Sequence, residues 1–193
     1  MGKQNHILLI DNYDSFTYNL VHYIEAISDY SVDVFRNNEI SIEKVNDYEI
    51  IILSPGPGLP VDAGILKQVI EGYASSKKIL GVCLGMQAIG EVFGGKLKNL
   101  DTVYHGIATP IKILEKDGLI FNNLPTELYV GRYHSWVVDK EDFPTDLIIT
   151  SVDENYNPMS LQHKKYSVFG VQFHPESILT EHGKEIIANF LAI

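Results

Sequence analysis

Three features of the chain predict an α/β fold: an open, mostly parallel, twisted sheet with helices on both faces, plus a smaller antiparallel strand-rich part. Apolar, β-prone runs alternate with helix-compatible stretches as far as residue 94, the pattern of parallel strands joined by crossover helices. From residue 109 onward, short strand-like runs follow one another between turn-rich segments such as 153–158. A helix pattern at 181–191 then closes the chain. Taken in order, 6–10 reads as a buried strand, and 15–27 as a helix with Phe16, Leu20, Tyr23, Ile24 and Ile27 on its apolar face. Strands are expected at 32–35 and 49–53, a helix at 64–74, a strand at 79–82 and a helix at 87–93. The second part is expected to hold strands at 109–113, 128–130, 136–138, 147–151, 159–162 and 167–173. No repeat, low-complexity segment or linker breaks the pattern, so one domain over residues 1–193 is expected.

Composition narrows the function. A chain of 193 residues, 45% hydrophobic and 21% charged, has enough apolar side chains for one sizeable core. Its 25 acidic against 15 basic residues give a net charge of −10, which argues against nucleic acid as a partner, because phosphate binding needs a basic patch. A single cysteine leaves no internal disulfide framework. The apolar run at 7–10 stops at Asp11, too short for a secretory leader, and no stretch approaches the roughly 20 apolar residues that span a bilayer. The expectation is a cytoplasmic protein without membrane contact. The seven histidines show no paired ligand spacing and no companion cysteines, so neither a metal nor a cofactor is expected.

The lone cysteine, Cys83, lies in the run Gly81-Val82-Cys83-Leu84-Gly85, behind an apolar strand and ahead of a helix-compatible stretch. That is the sequence form of a strained strand-to-helix turn bearing a nucleophile. Flanking glycines allow the bend, and a helix N-terminus behind the sulfur favours the reactive thiolate. Taken alone, Cys83 fits a small buried hydrophobe equally well. Far along the chain, Gly170-Val171-Gln172-Phe173-His174-Pro175-Glu176 ends a strand candidate. If the segment is extended, His174 and Glu176 project to the same side, giving an imidazole base and a carboxylate to orient it. Taken alone, the tripeptide also fits an ordinary turn. The loop Ser54-Pro55-Gly56-Pro57-Gly58 follows a third apolar strand. Its prolines and glycines make it rigid, able to aim backbone N–H groups at a developing oxyanion. The order nucleophile, histidine, acid differs from that of α/β-hydrolases.

With Asp11-Asn12-Tyr13-Asp14-Ser15-Phe16-Thr17 and Arg132-Tyr133-His134-Ser135 added, these motifs in this order cover essentially the whole chain. They resemble the signatures of the class I (triad-type) glutamine amidotransferases, most closely the small subunits of anthranilate synthase and aminodeoxychorismate synthase. The resemblance implies that Cys83 attacks the side-chain amide of L-glutamine, that His174 moves protons and that Glu176 holds its ring. It implies Gly58 and Leu84 as oxyanion donors. Gln87, the main chain at Ser135 and Trp136, and the loop residues Gly56, Pro57 and Gly58 are implied to hold the substrate. Ammonia would then pass to a docked chorismate-using synthase subunit, with anthranilate favoured over the folate branch. Trp136 departs from the pattern, since close relatives commonly carry leucine there.

Plainer readings stand beside these. Gln87 is also a good helix former, Tyr133 and Trp136 are also ordinary core aromatics, His134 reads as a satisfied surface histidine outside the triad, and Asp14 as a capping residue. A stand-alone hydrolase with the same triad, or a flavodoxin-like interaction module with an inert Cys83, are the competing functions.

Overall fold

The computed structural model describes residues 5–114 and 118–193, so the ends of the expected 1–193 domain and its segment 115–117 lie partly outside the described residues. The first part runs β1 (His6–Asp11), α1 (Thr17–Ile27), β2 (Ser31–Arg36), α2 (Ile42–Val45), β3 (Ile50–Leu53), α3 (Leu66–Tyr73), β4 (Lys78–Val82) and α4 (Leu84–Val92). The second runs β5 (Leu97–Asn99), β6 (Ile107–Ile113), β7 (Glu127–Arg132), β8 (Trp136–Val138), β9 (Leu147–Val152), β10 (Pro158–His163), β11 (Val168–Val171) and α5 (Gly183–Ala192). Among the described residues these strands form a nine-stranded sheet, β2-β1-β3-β4-β11-β10-β9-β6-β7, and a two-stranded ribbon, β5-β8. The strands from β2 to β11 pair in parallel, and those from β11 to β7 antiparallel. The antiparallel part is therefore mostly a continuation of the one sheet.

Period-two alternation assigns each strand side chain to a layer. Ile7 and Leu9 of β1, Ile50 and Ile52 of β3, and Leu80 and Val82 of β4 pack with Leu20 and Ile24 of α1 and Ile186, Ile187 and Phe190 of α5. Their neighbours Leu8, Ile10, Ile51, Leu53 and Ile79 pack on the other face against Leu66, Val69 and Ile70 of α3 and Ala88 and Ile89 of α4. Strands buried on both faces read as continuous apolar runs, which is why IIIL and ILLI were visible as strands.

β1 pairs with β2 on one side and with β3 on the other, so the strand order reverses beside β1. Ligands of open α/β sheets bind at the carboxyl ends of the strands near such a point. The carboxyl ends of β1, β3, β4 and β11 lead directly into the segments 11–17, 54–58, 83–87 and 172–177, which brings four of the sequence motifs to one edge.

Most element limits lie within three residues of those expected, and two of the differences bear on the site. α1 begins at Thr17 because Asp14 accepts the Phe16 N–H (2.7 Å) and Asp11 accepts the Asp14 N–H (3.1 Å) and the Thr17 hydroxyl (2.8 Å). These bonds hold a turn ahead of the helix, the role expected of Asp14. β11 ends at Val171, two residues before the expected limit, and a bend follows at Gln172 and Phe173.

Candidate active site

Cys83 sits between β4 and α4 with φ +52° and ψ −101°, a conformation that L-residues seldom adopt. The flanking glycines explain how the chain tolerates it. A Cβ on Gly81 would lie 2.5 Å from the Gly85 carbonyl carbon, and one on Gly85 would lie 2.6 Å from the Leu53 carbonyl oxygen. Strand and helix can approach this closely only without side chains there. Two backbone bonds fix the turn: Cys83 N–H donates to Val171 O (2.8 Å), and Gln87 N–H donates to Cys83 O (3.0 Å). α4 thus starts at Leu84, immediately behind the sulfur, and the Leu84 N–H belongs to a first helical turn that has no intrahelical acceptors.

The base reaches the sulfur by a different geometry from the extended one expected. His174 and Glu176 lie in a tight turn closed by Ser177 N–H donating to His174 O (3.1 Å). His174 Nδ1 nonetheless meets Glu176 Oε1 at 2.8 Å, with the two side chains 2% and 0% exposed. The turn is held from outside. His174 N–H donates to Gly131 O (3.0 Å), the Thr180 hydroxyl donates to His174 O (2.6 Å), and Gly183 packs so tightly on the Pro175 carbonyl that no side chain fits there. The His174 ring lies 4.7 Å from the Tyr133 ring and 5.4 Å, edge-on, from Phe16. Burial opposes a charge on His174 most strongly, yet Cys83 and Glu176 together outweigh it and lift the pKa to about 10. The ring is therefore protonated at neutral pH. Nδ1–H serves Glu176, and buried Nε2, with no other partner, is left for Cys83.

A further contact to the sulfur escaped the sequence reading. Gln172, fully buried, donates from Nε2 to Cys83 Sγ at 3.5 Å. Its Oε1 accepts from Gln87 Nε2 (3.3 Å), which also donates to the Trp136 carbonyl (2.9 Å). The available signal was a lone amide in an apolar strand end, Val171-Gln172-Phe173, where an unsatisfied polar side chain would be costly.

A cavity of about 180 Å³ opens over the sulfur, lined by Gly56, Gly58, Cys83, Gln87, Tyr104, Tyr133, His134, Ser135 and Trp136. The candidate substrate residues Gly56, Gly58, Gln87, Ser135 and Trp136 thus converge with Cys83. Pro57 is exposed and outside this lining, and Leu84 is buried beneath it. Asn12 clamps the 54–58 loop through its N–H to Ser54 Oγ (2.8 Å) and its Nδ2 to Ser54 O (2.9 Å), and Asn37 Nδ2 steadies Asn12 (3.0 Å). Gly56 packs on Asn12 too closely for a Cβ. Gly58 has φ +76° and open space where a Cβ would stand, so its conformation, not crowding, demands glycine. Glu176 borders a second cleft of about 340 Å³ with Phe16, Tyr133, Ser177 and Ile178. Among the described residues, no three His, Cys, Asp or Glu side chains gather as metal ligands, and no helix is long and apolar enough to cross a membrane.

A thiol on a strained turn, an imidazole oriented by a carboxylate, and a small polar cavity are the groups that cysteine-dependent acyl transfer needs. The sequence matches the family model for class-I glutamine amidotransferases over residues 8–193, and the chain belongs to that family of glutamine-using enzymes. It is 47% identical over 192 residues to an anthranilate synthase component 2 from Pseudomonas aeruginosa, covering 96% of this chain and 94% of that one. It is 46% identical over 190 residues to the bifunctional protein TrpGD of Thermotoga maritima, covering 97% of this chain but only 32%, about a third, of that longer protein. The fold is shared with a Thermoplasma acidophilum protein provisionally assigned to GMP synthase, at a TM-score of 0.86, 22% identity and coverage of 97% of this chain and 92% of that one.

Proposed function

We propose that this chain is the glutamine-hydrolysing component of an anthranilate synthase, acting as one domain in the cytoplasm and passing ammonia to a separate chorismate-using component. The observation that carries this reading is the geometry at Cys83: a sulfur beside a protonated His174, itself held by Glu176 at 2.8 Å.

The reaction follows from those groups. The Cys83 sulfur attacks the side-chain amide carbon of glutamine, and the carbonyl electrons move to oxygen. The N–H groups of Gly58 and Leu84 receive that oxyanion. As the tetrahedral centre collapses, the C–N bond breaks and the departing nitrogen takes the His174 proton, leaving as ammonia. A glutamyl thioester remains on Cys83. Water then attacks it while His174 accepts a proton, the C–S bond breaks, and glutamate departs with the sulfur and His174 restored to their starting state. Gln87 and the main chain at Ser135 and Trp136 hold the amino-acid end of glutamine, with Gly56 and Pro57 shaping the loop that carries Gly58. No cofactor is required by these steps.

The test is co-purification with a candidate chorismate-using component and identification of the product. Cys83→Ser is expected to abolish glutamine-dependent synthesis while leaving ammonia-dependent synthesis intact, because ammonia bypasses only this component. Equal loss of both would make Cys83 structural. Aminodeoxychorismate as product would move the chain to the folate branch, and full glutaminase activity without any partner would make it a stand-alone hydrolase.

A further inference from the structure

Arg132 is the largest side chain sealed inside this protein, 1% exposed, and nothing in the reaction above uses it. Taking a guanidinium out of water carries a desolvation penalty that pairing must offset, so what its burial achieves needs explaining. Arg132 Nη1 meets Asp153 Oδ2 at 3.1 Å, with both side chains 1% exposed, and the guanidinium carbon lies 3.5 Å from the centre of the Tyr104 ring. Asp153 is itself fixed, accepting the N–H groups of Asn155 and Asn157 at 2.9 Å each and Asn157 Nδ2 at 3.1 Å. A guanidinium held on its face and at one end has a determined direction for its remaining donors.

One of those donors decides the state of His134. Arg132 Nε donates to His134 Nε2 at 3.1 Å, so that nitrogen carries no proton and the ring hydrogen sits on Nδ1. Nδ1 then donates to the Trp136 carbonyl at 3.0 Å. Gln87 Nε2 donates to the same oxygen at 2.9 Å. With two donors on one carbonyl, the peptide plane after Trp136 has a single orientation, and with it the cavity wall formed by Tyr133, His134, Ser135 and Trp136. Burial, then the positive charge of Arg132, pushes the His134 pKa down to about 3, with His174 adding in the same direction and Asp153 opposing. His134 is therefore neutral around pH 7 and keeps the tautomer set by its two partners.

We propose that Arg132 is a positioning residue for glutamine: anchored by Asp153 and Tyr104, it locks His134 and, through the Trp136 carbonyl, the wall that receives the amino-acid end of the substrate. This rests on the reading of the cavity as the glutamine site. It separates two functions within one pocket. The triad sets the reactivity of the sulfur, and the Arg132 cluster sets recognition of the group attached to the amide.

Two thiol reagents distinguish the functions in the full chain. 6-Diazo-5-oxo-L-norleucine carries the amino-acid end of glutamine, and iodoacetamide does not; alkylation of Cys83 by each is followed by mass spectrometry. Arg132→Met is expected to weaken saturable capture of the diazo reagent by about tenfold or more, the effect of losing a hydrogen bond from a charged group, with the loss in half-saturation concentration and iodoacetamide reacting at the wild-type rate. Arg132→Lys keeps the charge but cannot span Asp153 and His134 together, so it is expected to remain impaired. Full recovery with lysine, an equal fall with both reagents, or no change with either overturns the proposal. If Arg132→Met does not fold, Asp153→Asn reads the same split, and wild-type discrimination there overturns it equally. A wild-type chain showing no saturable preference for the diazo reagent sinks the glutamine-site reading, and this inference with it.

Discussion

Gln172 gives the nucleophile a second neighbour besides His174. An amide N–H donated to sulfur at 3.5 Å aims a hydrogen-bond donor at the atom that alkylating reagents attack. Gln172→Leu keeps the bulk and removes the donor, so iodoacetamide alkylation of Cys83 at neutral pH is expected to slow by roughly threefold to tenfold; an unchanged rate would show the contact to be idle. Two histidines give stability opposite slopes around neutrality. His174 titrates above its ordinary value, at about 10, so its contribution is complete below pH 6.5 and is lost as pH rises towards 10. His134 titrates below it, at about 3, so its contribution is complete above pH 6.5 and is lost as pH falls towards 3. Denaturant unfolding from pH 4 to 10 is expected to show a maximum near neutrality, with each slope up to about 1 kcal/mol per pH unit. His134→Asn is expected to flatten the acid limb alone. Cys83, His174 and Glu176 were legible because a thiol, an imidazole and a carboxylate carry their chemistry in the residue type. Gln172, Arg132 and Asp153 were not, since an amide or an ion pair acquires a role only from what long-range folding sets beside it.

Elements with a period, or with a run of β-prone residues such as Trp136-Val137-Val138, were readable, and short ones with neither were not. α1, α3, α4 and α5 declare themselves by apolar spacing, and β8 falls at its expected limits. α2, a single turn at Ile42–Val45, and β5, three residues long, carry too few positions for any pattern. The turn at His174–Glu176 was one of two readings the tripeptide left open, because a two-residue offset suits an extended strand and a tight turn equally. The junction of β3, β4 and α4 makes the sharpest demand on sequence. At Gly85 the obstructing atom is the Leu53 backbone oxygen, which cannot rotate away as a side chain could. Gly85→Ala is expected to cost about 2–4 kcal/mol in unfolding free energy and to depress Cys83 alkylation further than any loss of folded protein explains. A variant of wild-type stability would show that α4 can shift without cost.

The molecule as a whole carries a net charge of −10, but the surface beside the triad is not acidic throughout. Ile178, two residues from Glu176, is 96% exposed at the rim of the cleft formed with Phe16 and Tyr133. In the function proposed above, Ile178 lies beside the cleft at Glu176, where an ammonia-consuming component would dock. Ile178→Glu is expected to weaken that complex by about tenfold or more, measured by titration calorimetry, while iodoacetamide labelling of Cys83 in the free chain stays at the wild-type rate. Unchanged affinity would place the contact elsewhere.

The position of β11 in the sheet has a consequence for the protein's birth. Although separated from β4 by most of the antiparallel part, β11 inserts directly beside it, pairing Val171 with Val82. β11 and the turn that follows it deliver the Val171 carbonyl that fixes the Cys83 turn, the Gln172 amide on the sulfur, and His174. Synthesis proceeds from the N-terminus, so a growing chain displays its nucleophile long before it owns a base. Without β11 between β4 and β10, the Cys83 N–H lacks its Val171 acceptor and His174 has no place beside the thiol. A chain cut short before residue 168 would keep the cysteine and lose the chemistry. In the function proposed above, the strand order therefore withholds the complete site until residues 168–176 are in place.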